Sequence, residues 1–206
     1  MQKQENLKTS LICNAAIVVL TIAAILINHL GVGDWAETFR YFTTDSNILC
    51  ALSAAVLFLD GLHAKKENRT AFRPGVILFK YISTVSVTIT FLTVIAFLGP
   101  VYGYASMFIN GSIYLHGVGP ILAMISFWFF DKGYVLKKTD LWFGMSTVVI
   151  YGIIYYLCVM QYGVWEDFYS FTAMSAWYVA AIAMAAACLL VSIVLRVLHN
   201  KQEKKA

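Results

Sequence analysis

Long apolar runs alternate with short polar ones along the chain, at roughly 9–30, 43–62, 76–98, 112–130, 141–162 and 171–198. Each reaches or nearly reaches the ~20 helical residues that cross about 30 Å of hydrocarbon. A bilayer offers the backbone no hydrogen-bond partners, so a spanning segment is a helix or a strand of a closed barrel. No run shows the polar alternation in segments of about ten residues that a barrel requires. The pattern predicts an all-α fold, a polytopic membrane helical bundle with six transmembrane helices. It forms a single integral membrane domain over residues 1–206, because the connections are too short for a soluble unit.

Composition agrees: of 206 residues, 60% are hydrophobic and 13% charged, with a mean hydropathy of +0.74. The first span is longer than the apolar region of a signal peptide and lacks a clear small-residue cleavage motif, so it is expected to be retained. A net charge of +4 would suit an acidic partner, but the placement of the charges accounts for it without nucleic acid. Lys3 and Lys8, Lys65, Lys66, Arg69 and Arg73, Lys132, Lys137 and Lys138, and Arg196, Lys201, Lys204 and Lys205 all fall on one side of a six-span plan. Lys80 sits near that side, and Arg40 stands opposite. The positive-inside rule then puts both N and C termini in the cytoplasm of a multi-pass cell membrane protein. Cys13, Cys50, Cys158 and Cys188 lie singly within spans, as small buried apolar residues do, and no disulfide framework or structural zinc site is expected.

Against this background Arg40-Tyr41-Phe42-Thr43-Thr44-Asp45-Ser46-Asn47 stands out, a polar cluster running into the outer end of the second span. Part of it is expected to cap that helix, since such residues satisfy free amides, but five in a row exceed that need. The third span carries Thr84, Ser86, Thr88, Thr90 and Thr93, hydroxyls that bond back to their own helix or across to a neighbour, and Gly99-Pro100 is expected to end it. The uncharged loop 101–111, rich in Tyr, Met and Phe, suits a lid over a lipid entrance. The fourth span holds His116-Gly117-Val118-Gly119-Pro120, where the proline frees the carbonyl of His116 and a kink is expected.

Topology places Thr43 to Asn47 and His116 in the same leaflet, and positions 43, 44 and 47 share a helix face. A hydroxyl, an imidazole and an amide or carboxylate at one depth are the groups of nucleophilic acyl transfer. The candidate catalytic residues are Thr43, Thr44 and His116, with Asn47, Ser46 and Asp45 as oxyanion or orienting groups. No metal or organic cofactor is needed.

Tyr41-Phe42-Thr43-x-x-Ser46-Asn47, followed by His116-x-x-x-Pro120, resembles the signature of the bacterial six-span relatives of the androgen-induced and androgen-dependent membrane hydrolases. Gly163-Val164-Trp165 resembles a Gly-x-Trp element before the last span, although Glu166-Asp167-Phe168 stands where relatives often carry Tyr-Pro-Phe. The resemblance implies an intramembrane threonine hydrolase of fatty acid esters of hydroxy fatty acids, with a Thr nucleophile and His116 as general base. The aromatic-hydrophobic-Thr pattern fits Thr43, and an Asn three residues after the nucleophile fits Thr44.

Two other classes compete. His29 and His116 in the outer leaflet, with His63 and His199 in the inner, are reminiscent of bis-histidine haem ligation, although His63 and His199 read as interfacial. A small solute or proton carrier would use Thr43, Asp45 and His116, with Asp45 as the functional charge, and a lipid-binding protein is the other non-enzymatic alternative.

Overall fold

The computed structural model describes residues 2–171 and 177–204. In chain order these form α1 (Gln2–Val32), the short α2 (Trp35–Thr38), α3 (Phe42–Lys66), α4 (Pro74–Tyr102), the short α5 (Tyr104–Met107), α6 (Tyr114–Phe130), α7 (Asp140–Gln161) and α8 (Trp177–Glu203). Five of them, α1, α3, α4, α7 and α8, are long and apolar enough to cross a membrane, and α6 is a shorter apolar helix. No strand occurs among the described residues. The expected helical membrane bundle is therefore the observed fold, and the first residues expected in the last span, 172–176, lie outside the described residues.

Helix α4 is the axis of the bundle. It packs on α3, α6, α7 and α8, while α1 closes the far side of α3. Its interior face is unusually polar, and every hydroxyl on it finds a partner. Ser83 meets Ser53 of α3 at 2.6 Å, Ser86 meets Thr147 of α7 at 2.7 Å, and Thr90 meets Ser46 of α3 at 2.8 Å. Thr84 and Thr88 bond back to the carbonyls of Lys80 and Thr84. This is the packing role expected of them, since lipid can satisfy none of these groups. Between the polar rungs lie apolar layers, among them Ile17, Cys50, Ala54, Val87 and Ala123. The four cysteines are free. Helices α7 and α8 leave large apolar side chains outside, including Trp142, Ile150, Tyr178 and Ile182, as surfaces bathed in lipid do.

Both Gly-Pro pairs sit within helices, and Gly99-Pro100 does not end α4, which continues to Tyr102. Each pair follows a five-residue π turn, Val94–Leu98 before one and Tyr114–Val118 before the other, in which the amides of Gly99 and Gly119 reach the carbonyls of Val94 and Tyr114. A proline in a regular helix clashes with the carbonyl four residues back. Widening the preceding turn relieves that clash, so the expected kink at Pro120 takes the form of a π turn that includes His116.

On the basic side, Asp60 accepts from the guanidinium of Arg69 at 3.2 Å and from the backbone amide of Arg73 at 2.9 Å. Arg69 also bonds Glu67 and holds its carboxyl below the usual carboxylate range. The connection between α6 and α7 is strapped to the end of α8, where Glu203 accepts from the Gly133 amide at 3.0 Å and Asn200 both accepts from and donates to Leu136. His199 is fully buried, not interfacial, with its two ring nitrogens 3.1 Å from the carbonyls of Phe127 and Tyr134. Gly133 has φ +147°, and a Cβ there would stand 2.1 Å from the Phe72 carbonyl oxygen. Gly133→Ala is therefore expected to destabilise the bundle by about 1–3 kcal/mol through backbone strain, read as a lower unfolding temperature in detergent. Unchanged stability would show that the strap does not depend on this approach.

Candidate functional site

The polar cluster enters the helix differently from the expected cap. Helix α3 begins at Phe42 behind Tyr41, whose side chain makes no capping bond. Thr43 to Asn47 thus lie inside the first two turns. Ser46 and Asn47 each donate back to the Thr43 carbonyl, at 3.1 and 2.8 Å, and then diverge. Ser46 turns to Thr90 of α4, and Asn47 donates to the Leu115 carbonyl of α6 at 3.0 Å. Asp45 points the other way and is exposed, with no hydrogen bond among the described residues.

These contacts orient both candidate nucleophiles. At 100° per residue Thr44 falls between Asn47 and Ile48, the residues of α3 that touch Leu115 and its surroundings. Thr44 is buried on that side. Thr43 instead faces a cavity of about 410 Å³ enclosed by α3, α4, α7, α8 and the loop before α8. Its wall is almost wholly apolar and aromatic, with Ile89, Val94, Phe97, Tyr151, Tyr155 and Met184 prominent. Of the three threonines on it, Thr90 is bonded to Ser46 and Thr93 lies 3.9 Å from the Met184 sulfur, whereas the Thr43 hydroxyl makes no hydrogen bond among the described residues. The lining includes Val149, Gly152, Ile153 and Ala181, which are exposed on the outside of the bundle, so the cavity opens sideways between α7 and α8. Its size falls within the ~300–1,000 Å³ of ligand pockets.

His116 is not on that wall. Its Nδ1 lies 2.6 Å from the Met107 carbonyl oxygen, and its ring meets Phe108 edge-on. A carbonyl only accepts, so Nδ1 carries the proton, and in the neutral ring Nε2 is left as the basic nitrogen. Nε2 makes no hydrogen bond among the described residues. The loop 101–111 thus folds back on the start of α6 and holds the imidazole, with Tyr104 packed on Gly99 and donating to the Ile95 carbonyl at 2.8 Å. The structure brings Asn47 against the residue next to His116, and it shows no direct bond from His116 to Thr43 or Thr44.

The sequence did not reveal the residues that shape the outer mouth. Tyr151 donates to the Arg40 carbonyl at 2.7 Å, and Tyr155 donates to Asp167 at 2.6 Å while accepting from the Tyr169 amide at 3.2 Å. Burial pushes the Tyr169 phenol up to about 12, so it stays neutral at physiological pH. The i, i+4 spacing of Tyr151 and Tyr155 was the available signal, since it sets both rings on one face. The histidines of the haem alternative are otherwise engaged: His29 stacks on Trp35 with ring centroids 3.5 Å apart, and His199 faces two carbonyls.

Asn47→Ala removes the donor to two carbonyls, one of them the buried tie between α3 and α6. It is expected to cost about 1–3 kcal/mol of stability, more than Ser46→Ala, and equal unfolding temperatures for the two variants would contradict this ranking. No protein-family model matches the chain, and no curated protein and no solved structure is detectably similar to it.

Proposed function

We propose that the protein is a cell-membrane hydrolase of a lipid ester, of the fatty acid ester of hydroxy fatty acid type, that binds the apolar chain of its substrate in the cavity between α3, α4, α7 and α8. The observation that carries this reading is the placement of the Thr43 hydroxyl, without a partner among the described residues, at the wall of an apolar cavity open to the bilayer. Topology supports an outer-leaflet site, with both termini in the cytoplasm.

In the proposed reaction the threonine oxygen attacks the ester carbonyl and its proton passes to Nε2 of His116, whose Nδ1–H is held by the Met107 carbonyl. The same proton goes to the departing alkoxide, leaving an acyl-threonine. Water then attacks the acyl carbon, gives a proton to His116 and releases the fatty acid, and the threonine oxygen is reprotonated. Thr43 faces the cavity, and Thr44 lies on the side of α3 toward His116. Either imidazole or substrate has to move across Asn47 for the transfer, a local motion of the π turn that carries His116.

A second reading, a non-enzymatic lipid-binding protein, is favoured by the position of His116 off the cavity wall. Purified protein assayed against a panel of lipid esters decides between the two. Hydrolysis is expected in the parent and is expected to fall by about 10²–10⁴-fold in His116→Ala, and as steeply in whichever of Thr43→Ala and Thr44→Ala removes the nucleophile. Lipid binding without turnover in the parent, abolished by a bulky replacement at Gly152 on the cavity mouth, would establish the second reading and sink the first.

A further inference from the structure

A second recess lies between α4, α6 and α8, with a volume of about 440 Å³. It shares no lining residue with the cavity that Thr43 faces. Its walls include Ile121, Ile125 and Trp128 of α6 and Leu190, Val194 and Leu198 of α8. Ile121, Ile125, Leu190 and Val194 are exposed on the outside of the bundle, so the recess is a groove open to hydrocarbon. From Leu190 to Leu198 it runs about 12 Å along α8, and its end at Trp128 and Leu198 is the one nearest the basic loops.

That end carries the groove's polar chemistry. The indole Nε1 of Trp128 is enclosed and makes no hydrogen bond among the described residues, although a buried Trp N–H ordinarily finds an acceptor. The Thr88 hydroxyl, also on the wall, already donates to the Thr84 carbonyl at 2.7 Å. Positive charge stands just past the groove. Lys201 lies three residues after Leu198, on the same side of α8, and is exposed. Lys132 lies four residues after Trp128, and its ammonium donates to the Trp128 carbonyl at 2.6 Å, which keeps a cation close to the level of the indole. The Glu203 carboxylate, at the same end of α8, accepts from the Gly133 amide and is taken up by the strap.

We propose that the groove holds one acyl chain of an anionic phospholipid from the leaflet on the basic side, with the ester carbonyl of that chain accepting from Nε1 of Trp128 and the phosphate beside Lys201. The order of groups along the groove matches that of a phospholipid: an apolar wall from Leu190 to Val194, a neutral donor at Trp128, and a cation one turn further on. An indole N–H only donates and an ester carbonyl only accepts, so the pair is complementary. Lipid tails that merely bathe the bundle would wet the groove equally well but leave the indole unpaired in hydrocarbon. A lysine reaches the phosphate because its stem lies along apolar surface while its ammonium stays in the headgroup layer, and one such lysine favours anionic over zwitterionic lipid by about fivefold. A free fatty acid fits less well, since its carboxylate would meet the neutral indole below the lysine and lose its water there.

The test reads the unfolding temperature of the purified full chain in detergent as phosphatidylglycerol, or phosphatidylcholine with identical chains, is added. The parent is expected to show a saturable rise, half-complete at an about fivefold lower concentration of phosphatidylglycerol than of phosphatidylcholine. Lys201→Gln is expected to remove this preference, and Lys204→Gln, on another side of α8, to keep it. Trp128→Phe retains an aromatic ring without the donor and is expected to weaken binding of both lipids by about fivefold to tenfold. Val194→Trp fills the groove from the lipid side, where Val194 is exposed, and is expected to abolish the shift. Gly152→Trp at the mouth of the outer cavity is expected to leave it in place. Equal half-saturation for the two lipids in the parent overturns the proposal, as does an undiminished phosphatidylglycerol shift in Val194→Trp or Trp128→Phe. A shift lost in Gly152→Trp but not in Val194→Trp would assign the lipid to the outer cavity and overturn it too.

Discussion

The bundle depends on one constraint: a polar group carried into a membrane helix must find its partner inside the protein. Helix α4 carries more such groups than its neighbours, and its contacts with α3 and α7 are hydroxyl to hydroxyl, at Ser53–Ser83, Ser46–Thr90 and Ser86–Thr147. Each of these pairs exists at one register only. A slide of either helix by one turn would leave two buried hydroxyls facing apolar side chains. The pairs therefore contribute alignment more than strength, and the apolar layers between them contribute the close packing. The outer site inherits this alignment directly, because Ser46 is both a rung of the ladder and the neighbour of Asn47 and Thr44.

The same constraint explains the π turns that precede the two Gly-Pro pairs. A membrane helix interrupted by Gly-Pro cannot send its freed carbonyl to lipid, so the turn before the proline widens and keeps most bonds within the helix. In α6 that widened turn carries His116, and in α4 it lines the cavity through Val94, Phe97 and Leu98. Two further π turns, Ser126–Phe130 and Tyr156–Gln161, precede no proline and lie at the ends of α6 and α7.

The number and order of the helices could be read from the chain because length and hydropathy are one-dimensional properties. Which way each side chain points could not, since a helix surrounded by lipid is apolar on every face and its hydropathy carries little angular information. Lys80 shows the limit: its position suggested a charge at the basic interface, and it is instead fully enclosed. Lys132 was counted among the loop charges of the basic side, and it is buried as well, beside the buried Asp131. The polar run at Thr43 to Asn47 was recognisable as a site candidate, but the division of Thr43 to the cavity and Thr44 toward α6 needed the contacts of Asn47 and Ile48. The partner of His116 was invisible because it is the backbone of Met107, and any residue at that position supplies a carbonyl.

The cavity opens between α7 and α8 into the hydrocarbon, and its mouth is bordered by Val149, Ile153 and Ala181. A guest arriving by that door travels within the leaflet by lateral diffusion and never dissolves in bulk water. Occupancy then follows the guest's mole fraction among the surrounding lipids, so a sparingly soluble molecule can saturate the protein while its aqueous concentration stays negligible.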